Sequence, residues 1–358
     1  MTMPPSGQWP PPPQVPPPHY WGPPQPPPKG GNKAKWLLGG LGILLVVVLS
    51  VAATLILTRE DSSMPKEPAP SGTSTAVSNV ASADDSGPVA IITSDPTCAS
   101  WSPIGDAVAA EASKGWSERD ASVPAEAWTP SQRAQYESMA KAMTNAAMQT
   151  VPLARLTPHR VMRELYEQSI AYWRGYANSI RSNETNDALG RIATGASNSL
   201  TWICSAIESG AASARAPLVP PSPAPLDIPK AEDPEHSSPY VTTPPTVCGE
   251  WISEVDSFNA ETIDWQQADS NIPASQWSAN QQEIFVRVSP IMSANAARLQ
   301  DIGLRSDNTV FDDIAALAAQ YRRGFVQSIP TYTPSDSYLA RAAGQLVATN
   351  YEACKAGQ

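Results

Sequence analysis

At 358 residues the chain is long enough for about two domains of ~150 residues each. Its 38 prolines, about twice the usual ~5% share, exclude regular helix or strand over much of the length; they crowd into residues 1–28, 58–97 and 211–247, which leaves two proline-poor blocks. A formal net charge of −10 disfavours nucleic acid and anionic lipid surfaces, and the absence of G-x-S-x-G, H-E-x-x-H, Walker A, G-x-G-x-x-G and Cys/His-cluster motifs removes most enzyme classes.

Residues 1–35 carry runs of proline at 10–13, 16–18 and 26–28 with Trp9, Tyr20 and Trp21 between them. Such a tail favours polyproline II and is expected to be a solvated, disordered low-complexity segment, with docking on an aromatic-lined groove of a cytoplasmic partner as the alternative. Residues 36–57 (WLLGGLGILLVVVLSVAATLIL) hold no charge for 22 positions, enough to cross a ~30 Å hydrocarbon core as one helix. Lys29, Lys33 and Lys35 precede it, whereas Arg59 is followed at once by Glu60 and Asp61. The positive-inside bias therefore places residues 1–35 in the cytoplasm and 58–358 outside a plasma membrane. A cleaved signal peptide is the alternative; the long leader and the length of the apolar run favour an uncleaved anchor. Residues 58–97 then form a disordered spacer.

All four cysteines lie beyond the span, and Cys98 to Cys204 is the same 106-residue interval as Cys248 to Cys354. Other segments repeat in the same order. Cys98-Ala-Ser-Trp101 matches Cys248-Gly-Glu-Trp251. The stretch from Asp120 through Pro124, Trp128 and Gln132 matches that from Asp269 through Pro273, Trp277 and Gln281. Tyr172-Trp-Arg174-Gly-Tyr176 matches Tyr321-Arg-Arg323-Gly-Phe325. Residues 98–210 and 248–358 are thus two copies of one module, joined by a proline-rich linker at 211–247.

Each copy reads as about four helices, giving an all-α fold of two tandem, disulfide-closed bundles. In the first copy Thr129-Pro130 caps a helix that should stop at Pro152, Thr157-Pro158 opens the next, and Val161, Leu165, Tyr172, Tyr176 and Ile180 share its face. In the second copy Val310, Ile314, Leu317, Tyr321 and Phe325 repeat that pattern, and Pro290 should kink or break the helix before it. The ends of an up-down-up-down bundle meet, so Cys98–Cys204 and Cys248–Cys354 are the expected bridges in an oxidising compartment.

Candidate chemistry is sparse. The acid pairs Glu164/Glu167 and Asp312/Asp313 read as solvated helix faces rather than a glycosidase dyad. Arg174 and Arg323, each beside a glycine and between aromatics, suit carboxylate or anion capture, so Tyr172, Arg174, Tyr176, Tyr321, Arg323 and Phe325 are the candidate binding residues, although an inter-helix salt bridge or a plain exposed arginine is the favoured role of the two cations. The tryptophans are expected to anchor the core. No catalytic, cofactor or metal residue is expected.

The order of WPPPPQVPPPHYWGPPQPPP leader, lysine cluster, single span, Ser/Thr/Ala/Pro spacer and cysteine-paired helices resembles the proline-rich single-pass membrane proteins of mycobacteria and related actinobacteria. The resemblance covers residues 1–97 and implies an envelope location, with O-mannosylation of the spacer at 71–86. The expected function is a membrane-anchored, non-catalytic binding or scaffolding protein whose two modules, freely tethered, capture an envelope protein or ligand outside the membrane. An envelope hydrolase or transferase acting on glycan or lipid, and a transmembrane sensor, are the alternatives.

Overall fold

The helices of both copies start from the same local code. Thr129 accepts from the Gln132 backbone N–H at 3.2 Å while the Gln132 side chain accepts from the Thr129 N–H at 2.9 Å, and 149 residues later Ser278 and Gln281 form the same reciprocal box. Two of the backbone donors that a helix start leaves open are thereby satisfied in each copy.

The computed structural model describes residues 80–182, 187–225 and 227–356. The proline-rich leader, the apolar run at 36–57 and the spacer up to residue 79 lie outside the described residues. Among the described residues no helix is long and apolar enough to cross a membrane.

The fold is all-helical. The first copy contains α1 (Cys98–Ala112), α2 (Pro130–Leu156), α3 (Arg160–Arg181) and α4 (Asp187–Glu208). A short α5 (Ala211–Arg215) follows. The second copy contains α6 (Cys248–Glu261), a single turn α7 (Ile263–Gln266), α8 (Ala279–Leu304), α9 (Thr309–Ser328) and α10 (Ser337–Lys355). In each copy every long helix packs on the next, and the last closes back on the first. The disulfides sit at that closure, joining Cys98 to Cys204 with Cα atoms 5.3 Å apart and Cys248 to Cys354 at 5.2 Å.

The aromatic core repeats as well. Trp128 stacks on Tyr136 at 3.9 Å, as Trp277 does on Phe285 at 4.0 Å. Trp116 meets Tyr176 edge-on at 5.7 Å, as Trp265 meets Phe325 at 5.6 Å. The Trp128 indole N–H donates to the Val123 carbonyl, and that of Trp277 to Ile272. Each ring thus buries its area and finds a partner for its polar edge.

Pro152 does not end α2, nor does Pro290 break α8. Both prolines are exposed, and the residues four positions earlier, Met148 and Val286, are 58% and 62% exposed. The carbonyls that lose their intrahelical donor thus lie on the wet side of the helix, where water replaces it.

The expectation of two independently mounted modules is corrected. The described residues form one compact unit, and α4 packs along α10 in the most extensive helix contact among them. Gly195 sits at that crossing, where an added Cβ would lie 2.9 Å from Thr349 Oγ1 and 3.1 Å from its backbone. The segment 80–97 is no loose spacer either: Val89, Ile91 and Ile92 are buried, and Ile91 fills the space over Gly324 of the second copy. The linker is clamped from both sides. Arg215 holds Asp336 in two bonds of 2.9 and 3.0 Å, Arg155 pairs with Asp233, and Tyr240 receives a bond from Asn308 and donates to Asn350. Proline-rich composition reports the absence of helix and strand; it does not distinguish a mobile coil from an extended one docked on a surface, and proline lowers the entropy that docking must overcome.

Candidate functional site

The six candidate binding residues do not converge on a cleft. Tyr172, Tyr176, Tyr321 and Phe325 are core residues, 0–2% exposed. Tyr176 accepts the Trp116 indole N–H at 2.7 Å, Tyr321 reaches the Ile92 carbonyl at 3.4 Å, and Phe325 joins the rings of Trp265, Phe285 and Tyr332. Arg174 donates to the Glu235 carbonyl at 2.7 Å and faces its carboxylate at 3.6 Å, pinning the linker. Arg323 donates to Gln300 on α8 at 2.7 Å.

The acid pairs, expected on solvated helix faces, are instead largely withdrawn from water. Glu164 is fully buried and Asp313 nearly so, on the faces of α3 and α9 that meet where the two copies join. They occupy equivalent positions, 149 residues apart as are Trp128 and Trp277. Asp313 is gripped by the buried Arg160 guanidinium through two bonds of 2.7 and 2.9 Å. The same arginine donates to the Asp85 carbonyl at 2.7 Å, and its backbone N–H donates to the Asp85 carboxylate. One side chain thereby ties the 80–97 segment, the first copy and the second copy together.

Glu164 has no such clamp. Neither carboxyl oxygen has a hydrogen-bond partner among the described residues, and Arg163 approaches only to 3.6 Å while also facing Glu167 at 3.5 Å. Two guanidiniums, Arg160 and Arg163, face four carboxylates, Asp85, Glu164, Glu167 and Asp313. Burial, reinforced by the negative charge of Asp313, pushes the Glu164 carboxyl well above the usual carboxylate range. Burial likewise lifts Glu167 to about 7, and burial with the charge of Asp313 lifts Asp312 to about 6. Desolvation is thus the main cause of all three shifts, and the nearby guanidiniums offset it only in part.

A second feature lies on the outside. Where α2 runs beside the last turn of α3, an open groove of about 420 Å³ has Arg133, Lys141 and Arg181 on its walls with Glu137, over a floor that includes Ala140 and Ile180. No motif marks it in the sequence, because its cations lie 8 and 40 residues apart and meet only through helix packing. Among the described residues no group of His, Cys, Asp and Glu is arranged to hold a metal ion.

The chain belongs to the family described as Mycobacterial ESX-1 associated protein, whose family model matches residues 80–358. An uncharacterised protein of Mycolicibacterium smegmatis (strain MKD8) is 46% identical over 325 residues, covering 90% of this chain and 86% of its own length. That alignment is longer than the 279 residues from 80 to 358, so the likeness extends into the first 79 residues. No solved structure matches the chain.

Proposed function

We propose that this protein is an envelope-anchored, non-catalytic binding protein that works in the setting of the ESX-1 secretion system, with its duplicated helices forming a single docking body outside the membrane. The observation that carries the reading is the junction: Arg160 bridges Asp85 and Asp313 and so locks both copies and the preceding segment into one unit with fixed surfaces. A body of that kind presents a partner with a preformed face and loses little entropy on binding. Of the residues most suggestive of a ligand site in the sequence, the four aromatics are consumed by the core and the two arginines by Glu235 and Gln300, which favours surface recognition over a buried active centre. The family description supports the secretion setting, and the uncharged run at 36–57 behind three lysines supports the anchor, cytoplasmic N-terminus and outside C-terminal body.

Crosslinking the tagged full-length chain in living mycobacterial cells tests this. The expected result is recovery of membrane or secreted components of the secretion system from the envelope fraction, together with silence of a cytoplasm-only reporter fused after Gln358. Reporter activity would overturn the topology. Turnover of a glycan or lipid by the purified full chain would replace the binding reading with an enzymatic one.

A further inference from the structure

We infer that the groove between α2 and the end of α3 is a docking site for an acidic, extended segment of a partner protein. The inference rests on the binding reading above and specifies its partner.

Charge is the first argument. The whole chain carries −10, yet this groove gathers three basic side chains against one acid. Glu137 and Lys141 sit one helical turn apart, and both are exposed. Local positive charge on an otherwise acidic body draws an anion to one place and repels it from the rest.

Shape is the second. Arg133 and Lys141 are separated by eight residues of helix, about 12 Å along the axis at ~1.5 Å per residue. A compact anion such as phosphate cannot touch both. A chain extended at ~3.3 Å per residue places acids four positions apart over the same distance, with alternate side chains facing the groove.

The duplicated scaffold supplies the third argument. The second copy has the same capped helix and the same stacked aromatic pair, but Gln282, Val286, Pro290 and Pro330 stand where the first copy has Arg133, Glu137, Lys141 and Arg181. Its third helix ends at Ser328, whereas α3 continues to Arg181. Neither the packing code nor the capping code therefore requires those charges, and the groove's basic lining is confined to one of two otherwise matching sites.

The probe is a fluorescein-labelled ten-residue peptide of Glu alternating with Leu, titrated by anisotropy with the purified full-length chain in detergent. Its Lys-for-Glu counterpart and inorganic phosphate serve as comparisons. Saturable binding of the acidic peptide alone is expected, weakening steeply with salt and falling at least tenfold in the double variant K141E/R181E, whose sites are both exposed. The variant K230E changes an exposed lysine elsewhere and should leave the affinity within twofold. Equal weakening by K230E would mean non-specific charge attraction and overturn the assignment, as would unchanged binding in K141E/R181E. Competition by millimolar phosphate that depends on Lys141 and Arg181 would convert the groove to a small-anion site and also overturn it. Retention of cellular crosslinks by K141E/R181E would leave the docking-body reading standing while assigning the partner to another face.

Discussion

Stability of the folded body should fall as pH rises from about 4.5 to 7.5, the reverse of ordinary acid denaturation. Glu167 lies on α3 with its side chain 14% exposed, facing Arg163 on its own helix and the Glu232 charge from the linker. Burial lifts it from 4.5 to about 7. A carboxyl whose folded value is raised binds more protons in the folded than in the unfolded chain, so its contribution is complete below the unfolded value and is lost as pH climbs through the folded one. Two and a half units correspond to about 3 kcal/mol. Glu164, facing Arg163 and Arg160 with Asp313 across the junction, shifts in the same direction, as does Asp312. The depressed carboxyls Glu111, Asp120 and Asp233 act oppositely but in the window below about 4.5, so they do not mask the effect. Urea unfolding of the full chain in detergent, followed by tryptophan fluorescence at pH 5, 6, 7 and 8, gives the slope. Wild type should lose at least about 3 kcal/mol across the series, and Glu167→Gln and Glu164→Gln should each flatten part of the slope. A wild-type stability that rises with pH over this range, or a slope unchanged in both variants, would refute the account of these carboxyls as held protonated by burial.

Truncating Arg160→Ala should cost about 3–5 kcal/mol by leaving Asp313 buried without its partner; the paired change R160M/D313L should cost less, and a double variant as damaged as the single one would refute the unpaired-charge explanation. Gly195→Ala should destabilise by about 1–3 kcal/mol, since its Cβ would crowd the Thr349 backbone. Gly344→Ala, with nothing within 4 Å of the new Cβ, should instead gain up to about 1 kcal/mol from helix propensity, and thermal melts would separate the two. Removing either disulfide by a paired Cys→Ser change should cost up to about 4.7 kcal/mol for a closure of 106 residues. Non-reducing peptide mapping should recover only the within-copy pairs, and cross-copy pairing would refute the closure.

Much of the helical content and both disulfides were legible because their signals are local or repeated. Thr129 with Gln132 and Ser278 with Gln281 announce helix starts within four residues, and equal 106-residue intervals pair the cysteines without any knowledge of packing. Trp128, extended just ahead of the Thr129 cap, folds back onto Tyr136 in the second turn of α2 and stacks on it. Burial of Glu164 and Asp313 was not legible. From Arg160 to Tyr166 every residue of α3 is buried, so the alternation between wet and dry faces that periodicity detects is absent there. A charged residue on such a stretch looks like any surface acid until the second copy arrives against it, more than a hundred residues later in the chain. The same holds for the segment 80–97 and the linker, whose prolines rule out helix but whose docking depends on Gly324, Asp336 and Asn350 offering complementary surface. Local sequence thus determined the two helical modules, because capping, spacing and ring pairing act within one turn or one copy. Their fusion into a single body, with its proton-holding junction and one-sided basic groove, was decided only in three dimensions, where desolvation and charge balance depend on what packs across the interface.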